Sequence, residues 1–377
     1  MIPHLRIMPD VIEEEEDPKI IRTRSGYVLQ EVASAIDRNL GLTGVDATGK
    51  LLHYTADLVA SGGRDIFSRI IYEHAIDNVG IASPRIFHYL RGRFAELDKS
   101  AALQMTESFV EDPANQRKFA EIALVTQMCP RRPKIKIPVI SPDTHRNDTW
   151  LRTVLRTGES AAVRKVYQAA HDSRQLLHSA TEMMGAINAG ELGRAIWWIK
   201  WMFEEDAIVR KEYKGPGLTT LNRGPPGGKD KNNVGFFVAF ILAEAYKELA
   251  GRGLIRMHEE VQTIIDLYRT ADARLTARRR VELLFLLVQI LTEVPKWRVP
   301  SAQTLIKDPL LMSRAVEQGP LFFKEVLVYP ALTKVLPKTV SKSKPKKAVV
   351  AAAKGAAMSE QDAAYEAAMN DFFDRIA

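Results

Sequence analysis

The spacing of apolar residues is the feature that most limits the fold of this chain. Apolar side chains recur every three or four positions along most of its length, and few runs alternate apolar with polar residues as half-buried strands do. We therefore predict an all-α protein, and 46% apolar residues suffice to build its core. The predicted helices cover residues 51–60, 66–78, 86–97, 119–128, 154–170, 195–203, 234–249, 261–268 and 281–291.

The stretch DNVGIASPRIF, residues 77–87, predicts how two of these helices join. Gly80 suits the left-handed backbone conformation that often ends a helix. Ser83 is a good N-cap, and Pro84 fits the first position of the next helix. We expect a sharp corner here.

Residues 44–51, GVDATGKL, differ by one residue from a phosphate-binding loop, which reads G-x-x-x-x-G-K followed by Ser or Thr. The hydroxyl at the last position ligates Mg²⁺, and Leu51 offers only a hydrocarbon. The preceding segment is helix-like, whereas such a loop follows a buried strand. We predict a plain turn ahead of a helix at Lys50, with neither ATP binding nor hydrolysis.

Composition narrows the class of protein further. The single Cys129 permits no intramolecular disulfide, which predicts a reducing, intracellular compartment, in the nucleus or the cytoplasm. The longest apolar run, residues 281–291, is too short to span a bilayer, and the first residues lack the pattern of a secretory signal. His171 and His178 are the only histidines with near-ligand spacing, and a core or surface role suits them better than a metal. We predict no cofactor, no metal and no catalytic residues.

Two segments resemble each other within the chain. Residues 124–138, LVTQMCPRRPKIKIP, and residues 286–300, LLVQILTEVPKWRVP, share an apolar helix, a Gln and a Pro-Lys turn. We predict a duplicated helical unit, although two buried helices that end at Pro could also resemble each other by chance. The predicted organisation is an acidic tail (1–24), a first unit (25–150), a second unit (151–336) with a Gly/Pro loop (214–233), a basic linker (337–358) and a terminal helix or peptide (359–377).

Basic residues gather after the repeated helices and ahead of the second one. If they line a common rim, they can contact the phosphate backbone of DNA; the alternative is that helix C-termini simply attract cations. The candidate contacts are Arg131, Arg132, Lys134, Lys136, Arg278, Arg279, Arg280, Lys296 and Arg298.

A tryptophan cluster lies in the predicted helix at 195–203. Trp197 and Trp201 share one helix face at a spacing of four residues. Few basic residues lie nearby, so core packing fits them better than stacking on nucleic-acid bases.

Residues 50–84, KLLHYTADLVASGGRDIFSRIIYEHAIDNVGIASP, resemble the oligomerising collar of the MgsA type of AAA+ ATPases, relatives of clamp-loader subunits and of the Werner-helicase-interacting ATPase. The likeness lies in His53 and Tyr54, in the break at 61–63 and in the corner at 77–84, and FAEIALVTQMCPRRPK is similar to a later collar helix. The ATPase module that precedes the collar in that family is absent. The resemblance implies a scaffold at replication or repair sites, as a homo-oligomer or within a clamp-loader-like assembly.

The last residues, YEAAMNDFFDRIA, are similar to a sliding-clamp-binding peptide, Gln-x-x-aliphatic-x-x-aromatic-aromatic. Met369, Phe372 and Phe373 have the required spacing, and Glu366 stands where Gln is expected. These residues predict weak binding to a sliding clamp of the PCNA kind. The alternative is a short amphipathic helix that folds back on the body.

These observations favour a non-enzymatic accessory or scaffold protein of DNA replication or repair. A second hypothesis is a structural or assembly protein of a large DNA virus. In that case the lysine-rich segment 337–358, which carries six lysines and no acid, would neutralise nucleic acid.

Overall fold

The computed structural model of the chain is all-α, as the apolar spacing predicts. Its described residues are 21–141, 148–155, 158–226, 233–293, 305–306, 309–330, 332 and 336. Within these ranges the backbone forms fourteen α-helices, and its only β-type pairings are two isolated bridges. None of the described helices has the length and apolar character needed to cross a membrane.

The first half of the chain contributes six α-helices. A π-helical turn (Ala75–Val79) and a 3₁₀ turn (Gly80–Ala82) join the third to the fourth. The sixth begins at a strong cap, because the carboxylate of Asp112 accepts a hydrogen bond from the N–H of Ala114 at 2.8 Å. The helices are α1 (Leu29–Leu40), α2 (Val45–Ala60), α3 (Arg64–His74), α4 (Arg85–Leu103), α5 (Thr106–Glu111) and α6 (Pro113–Met128).

The described part of the second half contributes eight more. Side-chain caps open two of them: the hydroxyl of Ser173 accepts from the N–H of Leu176, and that of Thr276 from the N–H of Arg279, both at 3.3 Å. The helices are α7 (Asp148–Val154), α8 (Ala161–Val166), α9 (Arg174–Asn188), α10 (Leu192–Tyr213), α11 (Asn233–Gly251), α12 (Glu259–Arg269), α13 (Ala277–Thr292) and α14 (Pro309–Leu327).

Two local predictions need correction. The single helix predicted over 154–170 is wrong, because α7 ends at Val154 and only the short α8 lies in the rest of that range. The corner at Gly80 has the expected positive φ of 49°. However, Pro84, and not Ser83, takes the N-cap position of α4.

The core is continuous across both halves. α4 packs against α12, and α13 contacts the π-helical turn, so the two halves share one apolar interior. Within the first half α6 contacts α1 to α5, and within the second α13 contacts α9 to α12. Each half thus has one central helix, and these are the two helices that carry the predicted repeat. The duplication itself stays a prediction.

The last described helix returns to the first half. α14 packs against α2 and α6, with Leu52, Ala120 and Leu124 buried beneath it. A Cβ atom at Gly319 would lie 2.7 Å from the Cβ of Ala120, so the missing side chain allows this close approach. A helix at the end of the predicted second unit therefore completes the packing of the first.

The tryptophans pack in the core, as predicted. Trp201 is fully buried and Trp198 is 4% exposed, while Trp197 lies half-buried with its ring edge-on to that of Trp198. Trp150 of α7 lies against both buried indoles, with ring centroids 6.3 and 6.5 Å away. These rings hold α7 to α10.

Candidate functional site

A groove of about 890 Å³ lies where α14 crosses the N-terminal end of α2 and the C-terminal end of α6. We call it the α14 groove. Its volume is within the roughly 300–1,000 Å³ typical of ligand pockets. The residues that line it are Thr43, Gly44, Val45, Thr48, Gly49, Leu52, Gln127, Met128, Cys129, Pro130, Arg131, Arg314, Ala315, Gln318 and Phe322.

The lining of the α14 groove is mostly apolar. Leu52 and Cys129 are each 4% exposed, and Phe322 packs against the core from α14. Burial raises the pKa of the Cys129 thiol to about 12, and the thiol donates to the carbonyl oxygen of Leu305 at 3.5 Å. Because the thiolate is the reactive form, burial lowers the reactivity of this thiol, and Cys129 serves here as an apolar lining residue.

Arg131 lies at one edge of the groove and joins two helix ends. Its guanidinium donates to the carbonyl oxygens of Leu40 and Gly41 at the end of α1, and to that of Gln127 in the last turn of α6 at 2.8 Å. Carbonyls at helix C-termini lack partners within the helix, and a cation there also opposes the helix dipole. Arg131 therefore stabilises the fold while its positive charge stays at the groove.

Two further features make the rim electropositive. Arg314 on α14 is exposed and lines the groove. The first turn of α2 begins there after Gly44, and the partial positive charge of a helix N-terminus adds to the charges of the two arginines. Asp46 in that turn is the nearest acid of α2, and Lys50 pairs with it at 2.8 Å. The groove thus combines an apolar lining with a cationic rim.

The loop-like octapeptide 44–51 lies along this rim as part of a helix. The plain turn predicted ahead of Lys50 is wrong, because α2 begins at Val45 and Thr48 and Gly49 have helical backbones. Their N–H groups bond within the helix, starting with Thr48 to the carbonyl of Gly44 at 3.0 Å. A phosphate-binding loop needs such groups turned towards the ligand, and the N–H groups of Thr48 and Gly49 are not available for this.

The two predicted basic clusters meet at one buried carboxylate, Asp77 in the π-helical turn. Lys134 donates to it at 3.1 Å, and two guanidinium N–H groups of Arg279 donate to it at 3.2 and 3.1 Å. Arg279 also bonds Glu282 at 2.6 Å and lies 3.6 Å from Glu73. One member of each cluster, Lys134 and Arg279, thus bonds the same acid.

This arrangement removes two of the predicted phosphate contacts from the surface. Arg279 is 3% and Arg280 7% exposed, so neither guanidinium is presented at the surface for a phosphate. Arg132 is half-buried over Gly80, whereas Lys136 and Arg278 are exposed. Lys296 and Arg298 lie outside the described residues.

The charged cluster around Asp77 combines buried carboxylates with cations, and the pKa values of its acids diverge according to burial and pairing. Burial raises the pKa of Glu73 to about 7, and burial also raises the pKa of Glu282. Burial opposes ionisation of Asp77 as well, but Arg279 and Lys134 hold its pKa below the ordinary value. Asp77 is therefore the ionised partner, and Glu73 carries a proton at mildly acidic pH.

The predicted clamp-binding residues Glu366, Met369, Phe372 and Phe373 lie outside the described residues. Within the described part of the chain, no three His, Cys, Asp or Glu side chains cluster closely enough to hold a metal ion. No protein-family model, curated protein or solved structure gives a significant match to the chain. The collar resemblance therefore stays a prediction.

The sequence pointed to parts of the groove without revealing it. The octapeptide 44–51 differs by one residue from a nucleotide-binding loop, and Arg131 is a predicted DNA contact. The sequence does not identify Arg314 and Phe322 as groove residues, because nothing in the linear pattern predicts that α14 crosses α2. Their spacing of eight residues on one helix face is the only hint that the sequence holds.

Proposed function

We propose that this protein is a scaffold whose helical body binds an acidic amphipathic peptide in the α14 groove. The observation that carries the proposal is the combination of an apolar lining, formed by residues such as Leu52 and Phe322, with a rim of Arg131, Arg314 and the start of α2. Grooves of this kind take the apolar face of a helix. No reactive group is needed for such binding.

Gly49 provides a way to block the groove without disturbing the body. It lines the groove, and a Cβ atom built on it meets no other atom within 4 Å. Gly49→Trp should therefore place an indole in the groove. Gly92 on α4 is also helical with open space around its Cβ, and it does not line the groove, so Gly92→Trp is the matched control.

The test is selection of displayed 16-residue peptides on the full chain carrying Phe372→Ala and Phe373→Ala, which removes two aromatic side chains of its own C-terminal segment as competitors. Selected peptides should carry acids and apolar residues three and four apart. They should lose at least tenfold in affinity with Gly49→Trp and none with Gly92→Trp. Peptides that bind all variants equally would exclude this groove as the site.

A finer proposal concerns the setting in which the scaffold works. We propose DNA replication or repair, supported by the likeness of residues 50–84 to clamp-loader collars and by the clamp-binding pattern of Met369, Phe372 and Phe373. Titration of peptide 359–377 against the sliding clamp of the source organism tests it. Binding should be weak, improve with Glu366→Gln and disappear when both phenylalanines become alanine. Unchanged binding of the double-alanine peptide would refute it.

The assembly-protein hypothesis has one supporting observation, the six lysines without an acid in residues 337–358. Neutralising phosphates releases counterions, so DNA binding through this segment should weaken steeply as salt rises. Changing all six lysines to glutamine should abolish DNA binding if this hypothesis holds. DNA binding that persists would place the contacts elsewhere on the body.

A further inference from the structure

We propose that the occupant of the α14 groove is the C-terminal segment of the same chain, residues 359–377. This inference rests on the proposed peptide-binding function and deepens it by naming the peptide. Clamp binding and groove binding would then use the same side chains, Phe372 and Phe373, and exclude each other.

The apolar pattern of the segment matches the lining of the groove. Its large apolar residues are three or four positions apart, so they would lie on one face of a helix. They are Tyr365, Met369, Phe372, Phe373 and Ile376. A helix with such a face binds by inserting its large side chains into an apolar groove. The α14 groove offers about 890 Å³ for them.

The charges are complementary as well. Residues 359–377 contain five acids and one base, Arg375. The rim of the groove carries Arg131, Arg314 and the positive end of the α2 dipole. Acids on the outer face of the bound helix would lie against this rim, which favours association and orients the segment.

The connection is long enough to reach the groove. Arg24 donates to the carbonyl oxygens of Tyr329 and Pro330 at 3.0 and 3.3 Å, and its own N–H donates to the hydroxyl of Ser61 at 2.8 Å. Ser61 follows the last residue of α2, so Pro330 lies near the end of α2 opposite the groove. α2 has 16 residues, a length of about 24 Å. Leu332 and Leu336 also pack against the core, so 28 residues, 337–364, connect the last described residue to Tyr365. A coil of that length would span roughly 26–32 Å on average.

The acidic N-terminal tail is the other segment with negative charge. Apart from Asp10, its acids form the continuous run 13–17, EEEED, so they do not alternate with apolar residues at helical spacing, and Pro3 and Pro9 interrupt the apolar residues that precede the run. A charged run alone would meet the rim but not the lining. The C-terminal segment satisfies both.

Attachment to the same chain strengthens the interaction. A segment on a linker of this length has an effective concentration on the order of millimolar, while three or more buried apolar side chains give a short peptide affinity on the order of 10 µM. The groove should therefore be about 99% occupied in the free protein. Release would require a competing partner such as a sliding clamp.

The experiment compares two full chains, the wild type and the Phe372→Ala, Phe373→Ala double variant, by titration with fluorescein-labelled peptide 359–377. In the wild type the attached segment competes, so the apparent Kd of the added peptide should be about 100-fold weaker than in the double variant. Adding Gly49→Trp to the double variant should abolish binding, and adding Gly92→Trp should leave it unchanged.

A second variant covers the case in which Gly49→Trp disturbs folding. Arg314→Glu reverses an exposed charge on the rim and should weaken binding of the peptide to the double variant about tenfold, with a steeper loss at low salt. Full affinity after this change would contradict the proposed orientation of the segment at the rim.

The remaining outcomes separate this inference from the proposed function. If peptide 359–377 does not bind the double variant but the display-selected peptides do, the inference fails and the groove function stands. If neither binds, both fail. Equal affinity for the two chains would show that the attached segment does not occupy the groove. If peptide 1–24 binds the double variant more tightly than peptide 359–377 does, the N-terminal tail is the occupant and the inference is wrong.

Discussion

Replacing Glu73 by glutamine should stabilise the protein at pH 8 and leave its stability almost unchanged at pH 5. Glu73 is 6% exposed, and its Oε1 atom has no hydrogen-bond partner. Arg279 directs its N–H groups to Asp77 and Glu282 instead, and its Nε atom lies 3.6 Å from Glu73. Burial of this oxygen therefore opposes ionisation of Glu73, and the charges of Arg279 and Arg69 offset that cost only in part.

The magnitude follows from the pKa of Glu73. Burial raises it from 4.5 to about 7, and at about 1.36 kcal/mol per pH unit this gap corresponds to roughly 3 kcal/mol. The folded protein binds this proton more tightly than the unfolded chain does. The contribution to stability is therefore fully present below pH 4.5 and is lost as pH rises through about 7. Glu73→Gln removes that loss, because the amide stays neutral at every pH.

The assay is urea unfolding followed by circular dichroism between pH 5 and pH 8. We expect Glu73→Gln to raise the free energy of unfolding at pH 8 by about 2–3 kcal/mol and to flatten its pH dependence. Glu107→Gln, on the exposed face of α5, is the matched control and should change neither. Asp77→Asn should instead destabilise the protein by up to about 3 kcal/mol, because Arg279 loses one carboxylate partner and keeps only Glu282 and Glu73 nearby. A Glu73→Gln protein that is no more stable than wild type at pH 8 would refute the reasoning.

Three further changes test the packing by the same unfolding assay. Gly319→Ala should lower the free energy of unfolding by about 1–3 kcal/mol, because the new methyl group would lie 2.7 Å from the Cβ of Ala120. Adding Ala120→Gly should restore most of the loss. If the single variant is as stable as wild type, α14 does not pack closely on α6. Ala271→Gly should stabilise by up to about 1 kcal/mol, because Ala271 has a φ of 50° that glycine adopts without strain, and a loss of stability would contradict this. Asp172→Asn should cost about 3 kcal/mol at pH 7, because Arg223 bonds this buried carboxylate at 2.5 Å. The Asp172 pKa is lowered, so the wild-type contribution is present at neutral pH and is lost as pH falls through the folded-state value; an Asn variant as stable as wild type would mean that the pair contributes nothing.

The helical character of the chain was predictable because it depends on local spacing. Segments such as 261–268 and 281–291 show apolar residues at a period near 3.6, and α12 and α13 contain them. The corner at Gly80 was predictable for the same reason, since a positive φ is a property of one residue. Helix starts were less certain: α2 begins five residues before Lys50, because α2 packs against α1, α6 and α14 and extends beyond its apolar stripe.

The basic residues show where local reasoning stops. The sequence marks Arg279 and Lys134 as cations near helix ends, and either a phosphate or a carboxylate could neutralise them. The choice depends on Asp77, which lies 57 residues from Lys134 and 202 from Arg279. The packing of α13 against the π-helical turn brings Arg279 to Asp77 in a site from which water is largely excluded, and Lys134 reaches the same carboxylate from the surface.

By itself, the sequence determined that this protein is all-α and that its helices turn at Gly80, because both properties depend on residues only a few positions apart in the chain. The tertiary structure alone decided that α14 crosses back to α2 and α6 and closes one side of a groove. That step depends on the fit of Gly319 against Ala120, about 200 residues away in the chain. Contacts of this kind depend on the shapes of two distant surfaces, which no period or motif in the sequence expresses.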